Sequence, residues 1–145
     1  PRDRVIRDTT DSRIGSDLFD QVQCGVCHTR TFVTAPRGTL INGGAFRVPA
    51  ALADRIIHPF SDFLLHDVGT GDGIVQNGGA GTRNQLRTAP LWGLRTRGRF
   101  MHDLQSHSVS DAIQRHGGQA AASRSAFNAL TSTDRSRVLR FLSSL

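Results

Sequence analysis

Residues 24–28 read CGVCH, and this pentapeptide holds both cysteines of a 145-residue chain. A C-x-x-C pair alone is compatible with a thioredoxin-like redox couple or with half of a zinc site. Zinc needs more ligands at suitable spacing, and no second cysteine pair exists; a redox couple needs a preceding strand, whereas the residues before Cys24 have helical periodicity. His28 follows immediately, and C-x-x-C-H is the attachment signature of a c-type haem. On a helical turn, positions three apart share a face. Cys24 and Cys27 can therefore each add to one vinyl group of the same porphyrin, with His28, four on from Cys24, beneath the iron as proximal ligand. A structural dithiol or disulfide is the remaining alternative. Haem attachment of this kind occurs outside the cytoplasm, so a periplasmic or extracellular location is expected.

The length suits one domain, and domains near this size bury roughly 70% of the surface their unfolded chains expose. Apolar residues make up 37% of the chain and 15 glycines bring the total to an ordinary level, so the core is average or slightly thin and a large apolar cofactor would help fill it. All 18 cations are Arg and all 12 acids are Asp, a compositional bias of the source. The net charge of +6 favours acidic partners. In the expected compartment that disfavours nucleic acid and leaves an acidic redox partner protein or a neighbouring haem subunit, in a possible oligomer or larger complex. Arg95, Arg97 and Arg99, and Arg135, Arg137 and Arg140, are the clusters that could steer such a partner; a solvated face is their plainer reading. No apolar run of about 18 residues is present, so no membrane span is expected. The Pro1 start without a charged-then-apolar leader suggests a processed or truncated product.

Helical spacing runs from Asp11 to Gln23 through Ile14, Leu18, Phe19 and Val22, and this helix delivers Cys24. Residues 29–49, rich in Thr, Gly and Pro, read as a loop with room for a short hairpin, and Ala50 to Ile57 as a short helix stopped before Pro59. Residues 67–84 form a Gly-rich loop. Phosphate cradling would need a strand before it and a helix after it, neither of which is evident; calcium held by Asp67, Asp72 and Asn77 is a lesser alternative to a plain surface loop. Ser108 to His116 reads as a helix capped by Ser108 or Ser110 and stopped by Gly117-Gly118. Ala122 to Leu130 follows, then Thr133 to Leu145, where Val138, Phe141, Leu142 and Leu145 form one apolar stripe. First and last helices commonly cross in cytochrome c domains, which would bring Gly15 and Phe19 to Val138 and Phe141. The predicted architecture is all-α: an arm over residues 1–10, then a cytochrome c-like helical domain over 11–145 that wraps one covalent haem with long loops.

The second axial position of the iron stays open at this level. His58, His66, Met101, His102, His107 and His116 are candidates, as is a vacant position. His116 ends a short helix against two glycines, where backbone can approach a porphyrin closely; Met101 is the single methionine and follows Phe100. Arg87 is a candidate partner for a haem propionate, because a guanidinium forks onto a carboxylate, with an exposed Arg as the plain alternative. Trp92 is a candidate core or haem-wall aromatic.

The runs HPFSDFLLHDVG at 58–69, RTAPLWGLRTRGRFMHD at 87–103, SDAIQRHGG at 110–118 and RVLRFLSSL at 137–145 resemble, in order and spacing, the di-haem thiol oxidoreductase family. That family is related to bacterial di-haem cytochrome c peroxidases. The resemblance spans about residues 11–145 and is to the C-terminal, one-haem half, which in the peroxidases holds the electron-transfer haem. It implies a distal ligand at His116: the axial methionine of the peroxidases lies fourteen residues beyond the histidine of a His-Asp-Gly motif, and His102 to His116 is that spacing. The thiol-oxidoreductase-like relatives likewise carry His-Gly-Gly there. At 102–104 this chain has HDL, so Leu104 departs from the motif; in the peroxidases the motif lies near the inter-haem region, and its loss weakens inherited peroxidase chemistry.

An iron held by His28 and His116 would be coordinatively full, at a lower potential than His/Met ligation gives. The expected function is therefore single-electron transfer, as a carrier or as a subunit of a redox assembly, more than catalysis. The competing expectation is a peroxidase-like enzyme or gas-binding sensor whose distal ligand leaves.

Overall fold

The computed structural model describes residues 9–145. The expected arm over residues 1–10 falls largely on residues 1–8, which lie outside the described residues. Helix α1 spans Thr10–Gln21, and the Thr9 hydroxyl caps it by accepting from the Ser12 N–H at 3.2 Å. It ends two residues short of Gln23 because Gln23 takes φ 64, a left-handed conformation through which no helix continues.

Three further helices follow late in the chain. Helix α2 is Val109–Gln114, capped by Ser108; α3 is Ala121–Ala129; α4 is Ser132–Leu142, capped by Thr131. The expected crossing of first and last helices is present. At their contact a Cβ on Gly15 would stand 1.9 Å from the Arg137 carbonyl oxygen, so backbone meets backbone there. Around that point Phe19, Val138 and Phe141 are at most 1% exposed. They join Phe60, Leu94, Phe127, Leu142 and Leu145 in one apolar core. The Phe19 and Phe141 rings meet edge-on with centroids 5.4 Å apart, and Phe60 completes the trio at 6.3 and 5.9 Å.

The all-α expectation is overturned. Among the described residues helix accounts for 39% and strand for about 10%, in three small antiparallel sheets. The strands are β1 (Phe32–Val33), β2 (Leu40–Ile41), β3 (Phe46–Arg47), β4 (Ile56–Ile57), β5 (Leu65–His66) and β6 (Leu86–Arg87), paired β1 with β4, β2 with β3 and β5 with β6. The β2–β3 pair is the hairpin anticipated within 29–49. The helix expected over Ala50 to Ile57 does not form. Asp54 takes φ 53, the Arg55 N–H donates to the Thr34 hydroxyl at 2.8 Å, and the Arg55 carbonyl accepts from the Thr34 N–H at 2.9 Å. These long-range bonds replace helical ones, and the β-branched Ile56 and Ile57 suit the strand that results. The Gly-rich stretch is the connection from β5 to β6, and it leads into a strand, not the helix that a phosphate cradle requires. No helix among the described residues is long and apolar enough to cross a membrane.

Candidate functional site

After the break at Gln23 the chain enters a separate 3-10 turn over Cys24–Val26, with the Cys27 and His28 N–H groups both directed at the Cys24 carbonyl. Residues three apart eclipse on such a turn, so Cys24 and Cys27 fall on one side even though α1 does not reach them. Both thiols are free. Burial pushes Cys24 up to about 11, with the charges of Asp20 and Cys27 adding to it, and burial then Asp62 raise Cys27. A reactive redox dithiol needs the opposite shift, which counts against the redox-couple reading.

His28 is aimed by a segment 32 residues away in sequence. Its Nδ1–H donates to the Phe60 carbonyl at 2.8 Å, and Nε2 has no partner among the described residues. The stretch Pro59–Asp62 lies alongside the CGVCH turn: the Ser61 N–H donates to the Thr29 carbonyl at 3.0 Å and the Asp62 N–H to the Cys27 carbonyl at 2.8 Å. Fully buried Ser61 locks the segment further, its hydroxyl donating to the Thr88 carbonyl at 2.7 Å and accepting from the Phe63 N–H at 2.9 Å. Phe60 itself has φ 52, a strained conformation for a bulky residue, at the point where its carbonyl must face His28. Arg30 braces the same region. It forks onto Asp20, donates to the Ser16 carbonyl at 2.7 Å, and sits 5.2 to 5.4 Å from the centroids of Phe19, Phe60 and Phe141.

His116 repeats the arrangement. Its Nδ1–H donates to the Ala112 carbonyl at 2.7 Å, one turn back on α2, and its Nε2 has no partner among the described residues. The two glycines after it pack against the start of the Gly-rich loop. The Gly117 N–H donates to the Val68 carbonyl at 2.8 Å, and a Cβ on Gly118, at φ 48, would stand 2.4 Å from the Asp67 carbonyl oxygen. His-Gly-Gly therefore docks the end of α2 onto the start of the Gly-rich loop.

The other four histidines are engaged differently. His66 Nε2 is 2.7 Å from Asp62, His107 Nε2 accepts from Arg99 at 2.7 Å, and His102 Nε2 meets the Thr70 carbonyl. His58 is exposed, with Nδ1 2.9 Å from the Thr31 hydroxyl. His28 and His116 thus share a state the others lack: Nδ1 held on a main-chain carbonyl and Nε2 offered. Desolvation pushes His28 down to about 4, opposed by the Phe60 hydrogen bond; the charge of His116 adds to the lowering, Asp62 opposes it and His66 adds again. The imidazole is therefore neutral at neutral pH.

Arg87, at the exposed end of β6, makes no ion pair among the described residues. Trp92 lies outside the apolar core, 48% exposed, with its indole N–H donated to the His58 carbonyl. Met101 sits in a turn at φ 64. Most of the arginines in the two clusters have intramolecular work: Arg95 on the Leu145 carbonyl, Arg97 on those of Pro90 and Trp92, Arg99 on His107, Arg135 on Asn128 and Leu130, and Arg137 on Asp11 and Asp134. Of the calcium candidates, Asp67 and Asp72 each accept from a main-chain N–H two residues on. Phe60, Ala112, Arg30 and the Asp62–His66 pair were missed by sequence reasoning. The first two act through carbonyls that no side chain advertises; the spacing of Asp62 and His66 was the one available signal.

Two protonated thiols on one turn and two imidazoles with Nε2 free are a donor set that fits a covalently held haem, and the class of protein is a haem c protein. The profile of the family described as "Di-haem oxidoreductase, putative peroxidase" matches residues 2–145. The chain belongs to that family. A chain of Kuenenia stuttgartiensis hydrazine synthase is similar in fold, with a TM-score of 0.57 at 18% identity, covering 99% of this chain and 49% of that one. This chain therefore spans about half the length of that one. Comparison with curated proteins gave no match.

Proposed function

We propose that the chain is a one-haem, c-type electron-transfer domain in which Cys24 and Cys27 hold the porphyrin, His28 is the proximal ligand and His116 the distal one. The observation that carries this reading is the common state of the two imidazoles, each fixed through Nδ1 on a carbonyl with Nε2 unengaged. A single C-x-x-C-H supports one haem in this stretch. Bound there, the haem would supply one-electron redox chemistry. His28 and His116 would each offer Nε2 to the iron, and together they would leave peroxide or oxygen no vacant position. Arg87, unpaired and cationic, is suited to a propionate, and Trp92 to the haem wall. Covalent attachment of this type goes with a periplasmic or extracellular location. The partner is an acidic redox protein, in keeping with the +6 charge, or a neighbouring haem domain, in keeping with a family named for two haems and a chain half the length of its structural neighbour.

The test is low-temperature electron paramagnetic resonance on the ferric protein, where bis-imidazole low-spin iron is expected, and the same measurement on His116→Gly, where the iron should open. Persistent six-coordinate low-spin iron in that variant rules His116 out; a colourless protein rules out the haem. One observation favours a second reading, the peroxidase in the family's description. That reading needs His116 to leave the iron, and carbon monoxide separates the two: rapid binding to the reduced protein supports it, and an unchanged spectrum supports the carrier.

A further inference from the structure

Residues 32–57 form one two-stranded arm. Beyond the β1–β4 pair the legs stay joined, the Thr34 N–H donating to the Arg55 carbonyl and the Gly38 N–H to the Val48 carbonyl, each at 2.9 Å, until β2–β3 closes the far end. Along these residues only Val48 and Ala53 are buried. Both roots of the arm sit at His28: Thr29 follows it directly and accepts from the Ser61 N–H at 3.0 Å, and the returning leg leads to Phe60, whose carbonyl holds the imidazole. Strand alternation gives the arm two faces. Phe32 and its cross-strand partner Ile57 are on the face toward the body, where the Phe32 and Phe63 ring centroids are 6.1 Å apart and Ile57 is half-buried. The next pair, Val33 and Ile56, is on the opposite face and is 65% and 67% exposed.

We propose that the outward face of this arm is the docking surface for a one-electron redox protein that presents an apolar patch rimmed by carboxylates. The proposal rests on the one-haem reading above. A two-stranded ribbon is marginal by itself in water, and this one leaves large apolar side chains uncovered: Leu40, Ile41, Phe46 and Leu52 are exposed as well as Val33 and Ile56. The charges among them have one dominant sign. Arg37, Arg47 and Arg55 are exposed, and Asp54 is the single acid between residues 32 and 57. An apolar centre with a cationic rim is complementary to an apolar centre with an anionic one, the centre supplying affinity and the rim supplying encounter rate.

Other occupants fit less well. A second copy would set the same three arginines against each other on chains of net charge +6. The haem belongs on the side of the CGVCH turn and Phe60, whereas Val33 and Ile56 are on the face opposite the Phe32–Phe63 contact. Position favours a redox protein over other acidic proteins. Val33 is five residues beyond His28 and Ile56 four before Phe60, so at most about 18 Å of chain separates Val33 from His28. A partner seated on the pair therefore stands near the group with which it exchanges an electron.

The probe is an acidic blue-copper protein, whose cupric ion takes one electron from the holoprotein reduced with dithionite and freed of excess; the iron goes from ferrous to ferric and the copper from cupric to cuprous. Stopped-flow absorption gives the second-order rate for wild type, for the double variant Val33→Thr/Ile56→Thr, which keeps a β-branched residue at both positions, and for Arg37→Gln. The double variant should be slower by on the order of fivefold to tenfold. Arg37→Gln should be slower at low salt and less sensitive to added salt. Wild-type rates in both variants overturn the proposal. A haem spectrum altered in the double variant means that this face packs on the haem, and overturns it too. So does light scattering in which wild type dimerises and the double variant does not, or binding to phosphatidylglycerol vesicles that the double variant loses while its rate with the probe is unchanged. Should the double variant fail to fold by circular dichroism, hydrogen exchange on wild-type holoprotein decides: protection of residues 32–57 by the probe supports the proposal, and none there overturns it. A colourless wild type refutes the one-haem reading itself, whereas coloured protein whose variants keep the wild-type rates sinks this proposal alone.

Discussion

A Cβ on Gly15 would stand 1.9 Å from the carbonyl oxygen of Arg137 and 3.1 Å from the Cβ of Phe141. Gly15→Ala must therefore push α1 and α4 apart. Overpacking against backbone should cost on the order of 2–3 kcal/mol, even after a helix-propensity gain of about 1 kcal/mol. The check is the urea midpoint of the holoprotein, expected to fall with little change in slope.

Leu104 has φ 57 and is 59% exposed. The left-handed conformation costs a side-chain-bearing residue about 1–2 kcal/mol, and the family motif that Leu104 departs from has glycine at this place. Leu104→Gly should stabilise the protein by about 1 kcal/mol, less than the full strain because glycine also gains entropy in the unfolded chain. Thermal unfolding at matched haem content measures it, with the absorption spectrum unchanged.

Arg30→Lys keeps the charge but loses the planar fork onto Asp20 and the stack against three phenyl rings. A loss of about 1–2 kcal/mol is expected. Because Phe60 supplies the carbonyl that aims His28, the variant should also broaden the low-spin resonance of the ferric iron.

The Arg115 hydrogen bonds hold the Asp103 carboxyl well below the usual carboxylate range, helped by the Gln105 N–H against the opposing effect of burial. A depressed folded-state value means stability that is present above the unfolded value and is lost as pH falls through the folded one. Asp103→Asn should melt lower than wild type near neutrality, and the gap should close in strong acid. Melting curves against pH test this, and a gap that stays constant into strong acid counts against it.

Elements with a period were legible in advance. The four α-helices among the described residues were anticipated to within one or two residues at most ends, because an apolar stripe such as Val138, Phe141, Leu142 is written into local spacing. Two-residue strands such as β1 and β4 have no period to detect, and Ile56 and Ile57 became a strand through partners more than twenty residues distant. At Gln23, Asp54 and Phe60 the backbone is left-handed without a glycine to announce it.

The chemistry of the site is local and could be read from the letters: CGVCH is one contiguous turn, and a haem c family follows from its surroundings. Which imidazoles have Nδ1 held on a carbonyl and Nε2 unengaged was decided by folding. The Phe60 carbonyl reaches His28 across 32 residues and the Ala112 carbonyl reaches His116 across one helical turn; every residue carries the same carbonyl, so its identity says nothing and its direction, set by packing, says everything.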